Sequence, residues 1–124
     1  MFLKLKKKKI LLVDDEKDFL MTIKFYLESK GYDVITAYNG KDAIENLKES
    51  PDLILMDLKL PDMDGYEVCR RIRLSSHYKK TPMVMLTCST DTKFILESQD
   101  EGISDYLMKT VEFEQILRTV KKYA

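Results

Sequence analysis

The chain has 124 residues, with 21 Lys and Arg against 21 Asp and Glu, so its formal net charge is zero. That length suits one domain and leaves no room for a second folded module. A composition 44% hydrophobic and 34% charged excludes a disordered or fibrous chain, and the lack of a basic excess argues against direct nucleic-acid binding.

The zero conceals an asymmetry. Residues 1–9 carry five lysines and no acid, which leaves 16 basic and 21 acidic side chains elsewhere, a balance of −5. Residues 1–8 read as a solvated lysine-rich leader and 9–124 as the folded domain. The apolar run 10–13 then reads as a buried strand ending in Asp14-Asp15. Across 16–30, Phe19, Leu20, Ile23 and Leu27 share one helical face, and Gly31 stops the helix. Tyr32, Val34, Ile35 and Ala37 make a half-apolar strand, and Asn39-Gly40 is a turn signal. Ala43, Ile44 and Leu47 mark a short helix ending near Ser50-Pro51.

The next apolar run, 53–56, ends at Asp57. A loop over 60–65 precedes a helix carrying Val68, Cys69 and Ile72. Pro82 opens the run 83–86, which ends at Thr87. A fourth helix is predicted over 91–101, stopped by Gly102, and a strand over 103–108 ends at Lys109. Phe113, Ile116, Leu117 and Val120 give the last helix its buried face. No run is long enough to span a bilayer, and no signal peptide follows the charged start, so a cytoplasmic protein is expected. Cys69 and Cys88 form no disulfide framework or zinc spacing.

Five strands alternating with five helices predict an α/β fold, a doubly wound parallel sheet with helices on both faces. Continuous apolar runs belong in the centre, buried on both sides. Asp33, Thr36, Ser104 and Asp105 interrupt the second and fifth runs and place them at the edges. The flavodoxin-like order 2-1-3-4-5 satisfies this, and its ligands bind beyond the carboxyl ends of the strands.

Asp14, Asp15, Asp57, Thr87 and Lys109 therefore converge on one rim. Each alone has an ordinary reading: a turn, a helix cap, a strand residue or a solvated charge. Together, three carboxylates cannot all stay ionised at short range without a cation. Carboxylates and water suit Mg²⁺ better than an all-protein Ca²⁺ cage, and the lack of a His or Cys cluster argues against zinc. A metal beside one carboxylate, opposite Thr and Lys donors, is equipment for phosphoryl transfer onto that carboxylate.

These residues resemble the receiver domain of two-component response regulators. The segments that carry the resemblance are residues 10–15, 55–65, 83–87 and 102–109, and it extends from about Lys9 to Tyr123. It implies that Asp57 accepts a phosphoryl group from the phosphohistidine of a histidine kinase or phosphotransfer protein. It implies Asp15 as a direct Mg²⁺ ligand, Asp14 acting largely through water, and the Lys59 carbonyl completing the set with Asp57. Thr87 and Lys109 hold the phosphoryl oxygens. Thr87 and Tyr106 form the switch, which remodels a face built from the fourth helix, fifth strand and fifth helix to control a downstream protein. That face also implies a monomer or weak dimer. The sequence ends one helix after Lys109, so an output supplied by a partner is expected.

Three departures from the family pattern stand out. Thr110 replaces the usual proline after the lysine, where a cis bond before a non-proline costs about 2.5–4 kcal/mol. Ser98, Gln99, Asp100 and Glu101 make the fourth helix polar. Cys88 replaces alanine and is expected to be a small buried group, the other reading being a redox-sensitive thiol beside the site. His77, in a polar stretch, reads as a solvated loop residue. A turnover enzyme is not expected, because aspartate-dependent phosphatases commonly place an acid two residues after the nucleophile, where this chain has Lys59. A flavodoxin-like cofactor site is disfavoured by the acids after the first strand, which would repel phosphate. The alternative is a pseudo-receiver regulated by binding without phosphorylation.

Overall fold

The computed structural model describes residues 6–88 and 102–124. Five parallel strands, β1 (Lys9–Val13), β2 (Asp33–Ala37), β3 (Leu53–Asp57), β4 (Met83–Thr87) and β5 (Asp105–Met108), form one sheet in the order β2-β1-β3-β4-β5. Between and after them lie α1 (Lys17–Ser29), α2 (Gly40–Glu45) continued by a 3-10 turn (Asn46–Glu49), α3 (Gly65–Arg73) and the last helix, α4 (Phe113–Tyr123). Five helices were expected, and the described residues hold four α-helices. The fourth predicted helix, 91–101, with its polar Ser98, Gln99, Asp100 and Glu101, lies outside the described residues.

The pleat explains why the central runs are continuously apolar. Alternate residues face opposite sides, and here both sides are covered. Leu11, Val13, Ile54, Met56 and Met85 enter one core cluster, while Ile10, Leu12, Leu55, Val84 and Leu86 enter the other. β2 and β5 sit at the edges and are only partly buried, as their interrupted sequences require.

Local chemistry sets the loops around the strand ends. The Asn39 side chain caps α2 by accepting from the Asp42 N–H, and Asp64 caps α3 by accepting from the Glu67 N–H. Asp62 accepts from the N–H groups of Gly40 (2.8 Å) and Lys41 (3.0 Å), which ties the start of α2 to the loop after β3. Slight burial opposes its charge, but those bonds hold the Asp62 carboxyl below its usual range. Gly31 takes φ +95° just after α1, the left-handed conformation that glycine accepts at no cost from a Cβ.

Two expectations need correction. Cys88 is exposed, because the β3–β4–β5 ladder ends at Thr87 and the next residue leaves the buried sheet. Phe113 begins α4 at 41% exposure and packs its ring against Tyr26, with centroids 5.1 Å apart, so the buried face of α4 rests on Ile116 and Val120. His77 is an exposed turn residue, as expected. Among the described residues, no helix is long and apolar enough to cross a membrane.

Candidate functional site

The site lies where β1, β3, β4 and β5 end. Asp14 follows β1, and its N–H donates to the Ala37 carbonyl at 3.1 Å. Its side chain is fully buried, with Oδ1 accepting from the Glu16 N–H at 2.9 Å. Asp57 closes β3 and is also buried, and its Oδ1 accepts from the Lys59 N–H at 3.2 Å. Neither acid is placed by its own helix, so the sheet register alone sets their separation.

Lys109 reaches in from the end of β5. Its Nζ stands 2.8 Å from Glu16 Oε1, 2.9 Å from Asp14 Oδ2 and 3.5 Å from Asp57 Oδ2. The Phe19 ring lies 4.6 Å from the ammonium and covers another side of it. Described peptide bonds are all trans, including the one before Thr110. The reach of Lys109 does not depend on a proline there. Its N–H donates to the Thr87 carbonyl at 2.9 Å, and the Val111 N–H closes a turn onto Met108 at 3.1 Å.

Crowding of charge shifts these groups. Burial, then the negative charge of Asp14, push the Asp57 carboxyl up to about 6. Burial likewise raises Asp14, although Lys109 works against it. Burial opposes the charge on Lys109, but the carboxylates of Glu16, Asp14 and Asp57 outweigh it and hold the ammonium above its ordinary range.

Asp14, Glu16 and Asp57 each bring one carboxylate oxygen to within 4.8 Å of the others. Asp14 Oδ2 is buried and, despite its ion pair with Lys109, has no hydrogen-bond donor in line with it among the described residues. One ammonium thus serves three carboxylates, and a hard divalent cation with oxygen ligands fits the remaining charge. Asp15 is exposed and is not one of the three clustered acids. Glu16 joins the cluster unanticipated by the strand-end pattern. Its only sequence signal is that it completes the acidic run Asp14-Asp15-Glu16.

Thr87 is buried at the end of β4, and its hydroxyl donates to the Leu107 carbonyl at 3.4 Å. Tyr106 is half-buried on β5. The exposed Lys59 pairs with Asp64 in a short antiparallel bridge across the loop after Asp57.

The family model of the response regulator receiver domain matches residues 10–121. The chain belongs to that family. This receiver domain is 38% identical over 114 residues to the response regulator ArlR of Staphylococcus saprophyticus, a match covering 91% of this chain and 50% of that protein. The chain therefore spans about half the length of that curated relative. Its fold is similar to the chemotaxis response regulator CheY4 of Vibrio cholerae, with TM-score 0.88, 31% identity, and coverage of 96% of this chain and 100% of that one. A two-component response regulator from Clostridium difficile matches at TM-score 0.85 and 33% identity, covering 94% of this chain and 95% of that one.

Proposed function

We propose that this receiver domain takes a phosphoryl group onto Asp57 from the phosphohistidine of a partner histidine kinase or phosphotransfer protein. The observation that carries this reading is the meeting of Asp57, Asp14 and Lys109 at the strand ends, with the Lys109 ammonium between the two carboxylates. A carboxylate oxygen of Asp57 attacks phosphorus. The P–N bond breaks with its electron pair returning to the imidazole, and a P–O bond forms an acyl phosphate.

Asp14, Asp15, Asp57 and the Lys59 carbonyl would hold Mg²⁺. When bound, that ion neutralises charge on the phosphoryl oxygens. The chain's own groups do the rest. Lys109 is already charged and placed to bond one phosphoryl oxygen. Thr87 gives up its long bond to Leu107 to bond another. That movement makes room for Tyr106 to turn, and the face containing β5 and α4 changes for a downstream protein, or for a weak dimer through that face. The phosphoryl group biases this equilibrium only by what it gains in the switched state. The protein acts in the cytoplasm as a switch that catalyses its own phosphorylation and dephosphorylation, not as a turnover enzyme.

The test is incubation with acetyl phosphate and Mg²⁺, followed by intact mass. Wild type gains one phosphoryl group; Asp57→Asn and EDTA-treated samples do not. An Asp57→Asn protein phosphorylated at the wild-type rate overturns the assignment. A wild type that never gains mass from acetyl phosphate or a phosphorylated kinase domain indicates regulation by binding alone.

A further inference from the structure

Tyr66 and Tyr106 place their hydroxyl oxygens 3.2 Å apart, although 40 positions separate them in the chain. Tyr66 is the second residue of α3 and is 2% exposed within a core cluster; Tyr106 is the second residue of β5 and packs against that cluster. A phenol both donates and accepts, so the two hydroxyls bond each other directly.

Both ends of this bond reach back to the site. The Gly65 N–H, immediately before Tyr66, donates to the Leu58 carbonyl at 2.6 Å. A Cβ on Gly65 would lie 3.0 Å from the Asp57 carbonyl oxygen and 3.0 Å from Met85 Sδ. The start of α3 is therefore packed onto the backbone of Asp57. On the other side, Tyr106 is the register partner of Met85, and the next residue, Leu107, accepts the Thr87 hydroxyl. The phenol pair closes a bridge over β4 between the loop that follows Asp57 and the strand that follows Thr87.

We infer that Tyr66 is a positioning residue for Tyr106: its hydroxyl holds the Tyr106 ring in the orientation of the unphosphorylated protein. Turning of Tyr106 gives this bond up, so the bond sets how far the equilibrium lies toward the resting arrangement. This rests on the reading of Tyr106 as the switch. A shift of the Asp57 loop and a turn of Tyr106 are then coupled in both directions. Loss of one such neutral hydrogen bond moves a two-state equilibrium about 3- to 10-fold.

The chain has seven tyrosines and no tryptophan, so 3-fluorotyrosine in the full chain gives a readable ¹⁹F spectrum, with Tyr106 assigned from Tyr106→Phe. Tyr66→Phe keeps the ring and removes the hydroxyl. Without ligand, its Tyr106 resonance should move toward the position that wild type takes with Mg²⁺ and beryllofluoride. Its apparent affinity for beryllofluoride should rise about 3- to 10-fold. That gain should vanish in a Tyr106→Phe background, which a general packing defect would not produce. An unmoved Tyr106 resonance, an unchanged or lowered affinity, or a gain that persists in Tyr106→Phe overturns the proposal. Should Tyr66→Phe not fold, Tyr106→Phe must shift the Tyr66 resonance instead, and an unmoved one overturns it. A wild type that ignores beryllofluoride overturns the phosphoacceptor reading, while the ligand-free Tyr106 resonance of Tyr66→Phe still decides whether Tyr66 holds that ring.

Discussion

Lys109 Nζ lies 3.5 Å from Asp57 Oδ2, close enough for an ion pair yet far enough to let the carboxylate react. The ammonium is held nearer to Asp14 and Glu16, so it stays charged and in place while Asp57 changes state. Replacing it should cost phosphorylation rate more than folding. Lys109→Met is expected to slow acceptance from acetyl phosphate about a hundredfold, the scale of losing one preorganised donor. Stopped-flow tyrosine fluorescence reads this, and an unchanged rate constant removes Lys109 from the site.

Metal-free protein should grow more stable as pH falls from 7.5 to 5. Asp57 rises from an ordinary 3.8 in the unfolded chain to about 6 when folded. The folded state therefore binds the proton more tightly. The resulting stability is fully present below pH 3.8 and lost as pH rises through about 6. With solvent screening discounted, this amounts to about 1–2 kcal/mol. Urea unfolding in EDTA should show Asp57→Asn to be more stable than wild type at pH 7.5, with the gap narrowing to about half by pH 5. Parallel curves across that range contradict the raised carboxyl.

Mg²⁺ affinity should depend on Asp15 more than on Glu16. Asp15 is exposed, and its short side chain can turn toward a cation without disturbing the core. Glu16 is committed to Lys109 at 2.8 Å and its side chain is 66% exposed, where an ion pair contributes little. Calorimetric titration should find at least a tenfold loss in Asp15→Asn and less than threefold in Glu16→Gln. The reverse order would make Glu16 the ligand.

Gly65→Ala should destabilise the protein by about 1–3 kcal/mol, the usual range for overpacking. The added Cβ meets the Asp57 carbonyl oxygen at 3.0 Å, and a central strand cannot retreat. The urea midpoint should fall and phosphorylation should slow with it. A wild-type midpoint shows that α3 is not pressed onto Asp57.

Sheet order and the strand-end residues were legible in the sequence for a physical reason. A strand buried on both faces must be continuously apolar, as residues 53–56 are, and an edge strand need not be, as Asp33 and Asp105 show. Parallel strands carry their ends to one rim, so Asp14, Asp57, Thr87 and Lys109 were placed together by topology alone. The Thr110 position illustrates the limit of the family pattern. It suggested that the reach of Lys109 hung on one peptide bond, whereas the β4–β5 ladder continues one bond further and fixes it.

What only the tertiary structure decided concerns side chains far apart in sequence. Glu16 and Lys109 are 93 positions apart, and Tyr66 and Tyr106 are 40 apart. No periodicity relates such pairs. They meet because rotamers fill the space that packed helices leave over the sheet, and that space exists only once the core has closed. The same holds for Cys88, exposed because the ladder stops one residue before it. Hydrophobic pattern determined the frame and the rim, and packing determined which atoms on that rim touch.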